Sequence, residues 1–463
     1  MKARSLLYSI IYFAATAIIL CIPALYNGYL LFDCDSALYV AQGIKLTPLV
    51  DRPIGYGYFI RATTWQSTLW MVIFSQGLIA SLLIYHALKT VLIKITFNKL
   101  YHFITICFLS LFSTLGWFVS MLMPDILTSF LFLALFNILF GKNCALSYIL
   151  YSVLIFFIVF SHLSNIPVLA LLLITVWLFI LSKRKFAEFK RKALLGSIMI
   201  MLVYLGTISC IIKYNYDHFK KPCLSTTSGI FFFARLIDTG VVDTYLKENC
   251  DKKDYRICKY KDDIPKWSQL FIWDTKGIFQ KMGGWNNYQE EPKLIVKDIL
   301  SSPKYYGPIL WNFSLSTCKQ SFQFRTGDGM INFLNEQWYP VYDNTYKNFP
   351  KNEIKRDFYN SKQLTEGLKF ETINNVIYFI VILSILLIAC VLYRFKIDDK
   401  IYLFLVICFS GVFFNAAVCA NLSNVLNRYQ ARVVWIIPFI AIVLFLNYLL
   451  PKIITFLRKE NLA

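Results

Sequence analysis

Apolar runs of about 20 residues recur from one end of this chain to the other, and a helix of that length matches the hydrocarbon thickness of a bilayer. They lie near 6–27, 68–93, 100–120, 124–141, 144–161, 165–182, 193–213, 375–394, 401–420 and 430–451. The 463 residues are 57% hydrophobic and only 16% charged, with a mean hydropathy of +0.54, far from a soluble domain. The expectation is a polytopic α-helical membrane protein with about ten transmembrane helices. The opening run, MKARSLLYSIIYFAATAIIL, is long and has no small-x-small cleavage site after Ala24, so it reads as a retained helix.

The net charge of +20 would fit a nucleic-acid binder, but its placement argues against one. Of the 23 Lys and Arg outside 213–375, 18 fall at alternate helix ends, including the cluster SKRKFAEFKRK at 182–192. Positive residues mark the cytoplasmic side. Both termini are therefore expected inside, with 28–66, 119–124, 162–165, 213–375 and 421–429 outside; ten crossings keep this parity consistent. Basicity here reports topology and contact with anionic membrane lipids, not nucleic acid. The expected location is a bacterial inner membrane.

Three blocks emerge. Residues 1–212 carry seven helices with an outer loop at 28–66, residues 213–375 have the polarity of a globular ectodomain, and 376–463 carry three more helices. The middle block holds 24 Lys and Arg against 19 Asp and Glu, and its stretches read as mixed or mainly helical. Cys223, Cys250, Cys258 and Cys318 all lie in it, where an oxidising compartment permits bridges. Four cysteines allow three pairings; Cys250 and Cys258 are near enough to close a short loop, which would leave Cys223–Cys318 as the second bridge.

Only eight acidic residues remain outside 213–375. Four of them, Asp33, Asp35, Asp51 and Asp125, fall on the outer face by this topology. Asp33 and Asp35 stand in LLFDCDSALYV at the end of the first helix, and Asp125 in MLMPDILTSFLFL at the start of the fourth. Arg428 and Arg432, in NRYQARVVWIIP, open the last helix from the same side. His162 and Asn165 occupy the outer turn FSHLSNIP, and Arg52 and Arg61 flank RPIGYGYFIRATTW. A carboxylate near an apolar helix end is costly and usually has a partner or a task. A carboxylate can take the proton of an attacking hydroxyl. Two, as Asp33 and Asp35, can hold a divalent cation such as Mg²⁺ or Mn²⁺. Arginines grip a phosphate through paired hydrogen bonds. Each element also has a plainer reading. Asp-x-Asp often only solvates a loop, and Asp125 after Pro124 suits a helix dipole. His162 fits a satisfied interfacial histidine, Arg428 and Arg432 fit snorkelling to headgroups, and Asp51–Arg52 fits a local ion pair.

At these residues the chain resembles the GT-C superfamily of membrane glycosyltransferases, which includes protein O-mannosyltransferases, the aminoarabinose transferase of lipid A and oligosaccharyltransferase subunits. FDCDSALYV stands where that family has its first-loop acidic motif, ALYVAQGIKL and RPIGYGYFIRATTW where it has amphipathic loop helices, and MPDIL where a second outer acid follows the third helix. Seven helices precede the ectodomain, as in the family's common module. The chain departs in the Cys34 between its two acids and in placing its soluble domain before the last three helices. The resemblance implies a GT-C-like fold and transfer of a sugar from a polyprenyl-phosphate donor to a glycan, lipid or protein acceptor on the non-cytoplasmic side. Asp33 or Asp35 would then be the base, and Arg428 and Arg432 would hold the donor phosphate. Two other classes compete: a transporter or lipid flippase, which would place ionisable residues at mid-membrane, and a non-catalytic envelope assembly protein acting through its ectodomain.

Overall fold

The computed structural model describes residues 2–64, 67–182, 184–330 and 353–460. It is all-helical, 77% helix, with no strand among the described residues. Among the described residues, six helices are long and apolar enough to cross a membrane: Trp70–Val91, Asn165–Ser182, Lys185–Phe219, Glu371–Arg394, Asp399–Leu422 and Asn427–Arg458. Four shorter apolar helices, Leu6–Leu20, Lys99–Phe112, Ile126–Phe140 and Ala145–Ser161, occupy the other expected positions. Two of these fall short for visible reasons. The first run breaks at Cys21, and a separate helix Ile22–Asn27, with proline in its opening turn, ends at a left-handed Gly28. The third run stops where extended Ser113 turns its hydroxyl back to the Leu109 carbonyl (2.5 Å), and a new helix begins at Leu115.

The helix Ile126–Phe140 has no charged residue and no polar face, and every one of its residues is buried. A helix with no polar face belongs in the middle of a bundle, and here Trp70–Val91, Ala145–Ser161, Lys190–Phe219 and Asp399–Leu422 surround it. Gly411 permits one of these contacts: a Cβ there would lie 2.8 Å from the Phe132 ring. Outward faces of the bundle remain apolar, with Leu195, Leu202, Phe379, Ile382 and Leu386 more than half exposed. An aqueous surface rarely shows such a band, and the architecture fits a helical membrane protein.

A second core lies within the 213–375 segment. Phe233, Val242, Ile257, Phe271, Phe279 and Ile295 form it, carried on short helices including Ser228–Asp238, Val241–Asn249 and Glu290–Leu300. The helix entering this region runs on to Phe219, past the expected boundary at 213.

The disulfide expectation needs correction. Cys250 and Cys258 are bonded, but Cys223 and Cys318 are both free. Cys223 follows the end of the Lys190–Phe219 helix, where its carbonyl accepts from Asn215 Nδ2 (2.8 Å). Cys318 is exposed on Tyr306–Phe322, a helix packed along Asp399–Leu422. Pairing by elimination ignored these separate anchors. Peptide mapping of chain denatured without reductant should recover Cys250–Cys258 as a bridge, with Cys223 and Cys318 alkylated. Removing the short bridge should cost about 2–3 kcal/mol; recovery of a Cys223–Cys318 peptide would contradict this assignment.

Candidate functional site

Backbone pairing brings the two acidic segments together. Leu31 N donates to the Ser120 carbonyl and Leu122 N to the Leu31 carbonyl, each at 3.0 Å, so the strand-like stretch before Asp33 lies alongside the one before Asp125. The Gln363 side chain clamps Phe32 from a distant stretch of the chain: Phe32 N donates to Oε1 (3.0 Å) and Nε2 donates to the Phe32 carbonyl (2.6 Å). Asp33 is then held in a local turn. Its N–H donates to Ser36 Oγ (2.9 Å), and its Oδ1 accepts from Asp35 N (3.1 Å). Helices Ser36–Lys45 and Gly55–Thr64 follow, packed face to face, and carry the loop across the bundle.

The last helix supplies the opposing charges. Arg428 Nη1 donates to Asp33 Oδ1 at 2.6 Å and to Asp35 Oδ2 at 3.3 Å, and Nε lies 4.0 Å from Asp125. One turn on, fully buried Arg432 donates to Asp125 Oδ1 (3.3 Å), Asn415 Oδ1 (2.8 Å) and Ser164 Oγ (3.1 Å), with His162 Nε2 at 3.4 Å. Arg52 closes the other side, donating to Asp35 Oδ1 (3.2 Å) and Asp51 Oδ2 (2.7 Å). The result is an alternating chain of charge: Asp51, Arg52, Asp35, Arg428 with Asp33, Asp125, Arg432. Asp125 makes no side-chain capping bond to its own helix, so its carboxylate faces guanidiniums, not the helix end.

Burial and neighbours push the proton affinities of Asp33 and Asp35 apart. Burial raises the Asp33 carboxyl to about 6, with Arg428 opposing the rise and Asp35 adding to it. Burial also acts against ionised Asp35, but Arg52 and Arg428 outweigh it and hold that carboxyl below its usual value. His162 is lowered to about 3, first by burial and then by Arg432, so it is neutral. Four carboxylates thus face three guanidiniums and an uncharged imidazole. A base with a pKa near 6 beside a firmly ionised partner is the separation that general acid–base chemistry uses.

Of the sequence-selected residues, Asp33, Asp35, Asp51, Asp125, Arg52, His162, Arg428 and Arg432 come together. Arg61 does not: it is turned to the surface, where it donates to the Ile44 carbonyl (2.9 Å). Asn165 is fully buried and used structurally, accepting from Thr128 (3.0 Å) and donating to the Ile158 carbonyl (2.9 Å). Several participants were not foreseen. Asn415 anchors Arg432 from inside an apolar helix, and its polarity there was a usable signal. Tyr39 lies under the Arg52 guanidinium (5.1 Å), and Tyr429 flanks both late arginines. The turn RTGDG covers Asp33. Gly329 takes φ +78°, its carbonyl accepts from Cys34 N (3.0 Å), and a Cβ on it would fall 2.2 Å from the Asp33 carboxylate. Only glycine fits there.

Asp33, Cys34 and Asp35 bring ligand atoms within 4.8 Å of one another. The donor set does not favour a hard cation: a thiol is a poor ligand for Mg²⁺, and both carboxylates already hold Arg428. A narrow cleft lined by Asp51, Arg52, Pro53, Tyr214, Asn215 and Thr226 reaches the Arg52 end of the charge chain. Compared with known protein families, curated proteins and solved structures, the chain finds no match.

Proposed function

We propose that this chain is a membrane glycosyltransferase of GT-C type. It would transfer a sugar from a polyprenyl-phosphate donor to a glycan, lipid or protein acceptor at the outer face of a bacterial inner membrane. The observation that carries the reading is the meeting of Asp33, Asp35 and Asp125 with Arg52, Arg428 and Arg432, delivered by distant stretches of sequence to one end of an apolar bundle. The six long and four short apolar helices support ten crossings, and the 18 alternating basic residues support termini inside and the site outside. A transporter would distribute ionisable groups at mid-membrane; this cluster sits at helix ends.

Asp33 takes the base role, having the higher proton affinity. The acceptor hydroxyl gives its proton to this carboxylate as its oxygen bonds to the anomeric carbon. The bond from that carbon to the phosphate oxygen breaks, and polyprenyl phosphate leaves with the electron pair. Arg428 and Arg52 stabilise the leaving phosphate, since fixed guanidiniums in a desolvated site are strong electrostatic partners for developing charge. A donor phosphate that engages Arg428 also loosens its hold on Asp33, coupling donor binding to release of the base. The counter-charge is assigned to guanidiniums, so transfer should persist in chelator. Entry of the acceptor requires the RTGDG turn to move off Asp33.

A pH dependence follows with a definite sign. The base must be ionised, so transfer should hold above about pH 6 and fall roughly tenfold per unit below it. Stability runs the other way. Because burial holds the folded value above that of a free aspartate, the fold prefers protonated Asp33, and that contribution is lost as pH rises through about 6. A flat rate profile between pH 5 and 7 would remove Asp33 from the base role. The function itself is tested by mass spectrometry of envelope glycans and polyprenyl-phosphate sugars with and without the gene. A missing glycan modification with accumulated donor is expected; unchanged profiles of both would count against the enzyme.

A further inference from the structure

The helix Tyr306–Phe322 belongs by sequence to the ectodomain, yet its surface is far more apolar than that of Val241–Asn249 in the same domain. The helix Val241–Asn249 turns Asp243, Lys247 and Glu248 to the outside. Tyr306–Phe322 instead exposes Leu310, Trp311, Leu315 and Phe322, with Trp311 72% and Phe322 69% accessible. Lys319 is its only charged residue. Three of its polar side chains bind the neighbours: Ser316 accepts from Arg235 (2.6 Å), Thr317 accepts from Asn421 (2.9 Å), and Gln320 exchanges two bonds with Leu426 (2.8 and 2.9 Å), while Asn312 and Ser314 donate back to carbonyls of their own helix (2.9 and 2.8 Å). This inverts the pattern of a water-facing helix.

The same bonds fix where the helix lies. Asn421 is in the last turn of Asp399–Leu422 and Leu426 lies just beyond it, and the Phe322 carbonyl accepts from Tyr378, two turns into Glu371–Arg394 (3.1 Å). Those two helices also carry exposed apolar side chains, Phe413 and Leu422 on one, Phe379 and Ile382 on the other. The apolar stripe on Tyr306–Phe322 therefore extends the lipid-facing surface of two membrane helices. We infer that Tyr306–Phe322 lies in the outer leaflet, with Leu310, Trp311, Leu315 and Phe322 among acyl chains and Lys319 at the phosphate level. Tryptophan and lysine at such positions suit the interface. The occupant is phospholipid, and the ectodomain is seated on the bilayer by this helix rather than held clear of it.

The test is photo-crosslinking in the full chain reconstituted in phospholipid nanodiscs. A benzophenone amino acid is placed singly at Leu315, at Phe379 as a membrane-facing reference, and at Lys247 as a water-facing one. Mass spectrometry of adducts should find phospholipid on Leu315 at a yield within about threefold of Phe379 and at least tenfold above Lys247. Lipid adducts at Phe379 but a Leu315 yield matching Lys247 would overturn the proposal while leaving the membrane reading intact. An adduct to a second copy or another protein at Leu315 would likewise overturn it, assigning the stripe to a protein interface. Loss of lipid adducts at Phe379 would instead break the membrane reading, and this inference with it. A second measurement uses only a mild change: brominated acyl chains should quench an emission component that Trp311→Phe removes, and aqueous iodide should not.

Discussion

Asp33→Asn should lower glycan transfer by about 10²–10⁴-fold, the contribution of a positioned general base, while leaving folded protein at its normal level. An amide cannot take the acceptor's proton. The fold should tolerate it for a reason visible in the charge count. Asp33, Asp35, Asp51 and Asp125 face Arg52, Arg428 and Arg432, so removing one negative charge brings the cluster to balance. Arg428 keeps Asp35 at 3.3 Å and Asp125 at 4.0 Å. Asp35→Asn should cost less in rate: that carboxylate is already held ionised by two guanidiniums and serves to place them. Transfer with purified variants, normalised to folded protein, checks both. Full activity in both would defeat the enzyme as assigned and favour action through the ectodomain. A larger loss in Asp35→Asn would exchange the two roles.

The outline of the fold was legible because the solvent imposes it. A bilayer demands long apolar helices, and each of the ten apolar runs became a helix, although Cys21 and Ser113 cut two of them short. The charged cluster was legible by the same physics, since an acid or arginine at an apolar helix end stands out against a costly background. That rule finds residues but not directions. Arg61 passed the same filter as Arg52, yet its guanidinium caps the Ile44 carbonyl at the surface. Asn165 passed it too and turned out to bind backbone. Which way a side chain leaves its helix depends on packing that the pattern does not specify. The cover over Asp33 was hidden for another reason: Gly329 lies almost 300 residues away, and only the fold sets its carbonyl against Cys34. Chain distance also undid the Cys223–Cys318 pairing, which rested on compartment and count with no account of where each thiol is anchored.

Arg432 should matter more to stability than to chemistry. Its side chain is fully buried and so, at 2% exposure, is Asp125, and the two lie 3.3 Å apart. Arg432→Met keeps length and apolar bulk but leaves Asp125 with only Arg428 at 4.0 Å, and it strips Asn415 Oδ1 of its 2.8 Å partner. Breaking a buried pair from one side costs about 3–5 kcal/mol, because the surviving charge loses its compensation while staying desolvated. The expected result is a sharp fall in thermal stability or in the yield of folded chain. Asp125→Asn with Arg432→Met should recover about half of that loss, since no net charge is then stranded, though Asn415 remains short of a donor. The recovery separates two roles for this residue. If Arg432 acted only on substrate, the single variant would fold normally and the second change would restore nothing. If it is the bolt between the last helix and the central one, the two changes will be strongly non-additive in stability, and the double variant will fold better than Arg432→Met alone.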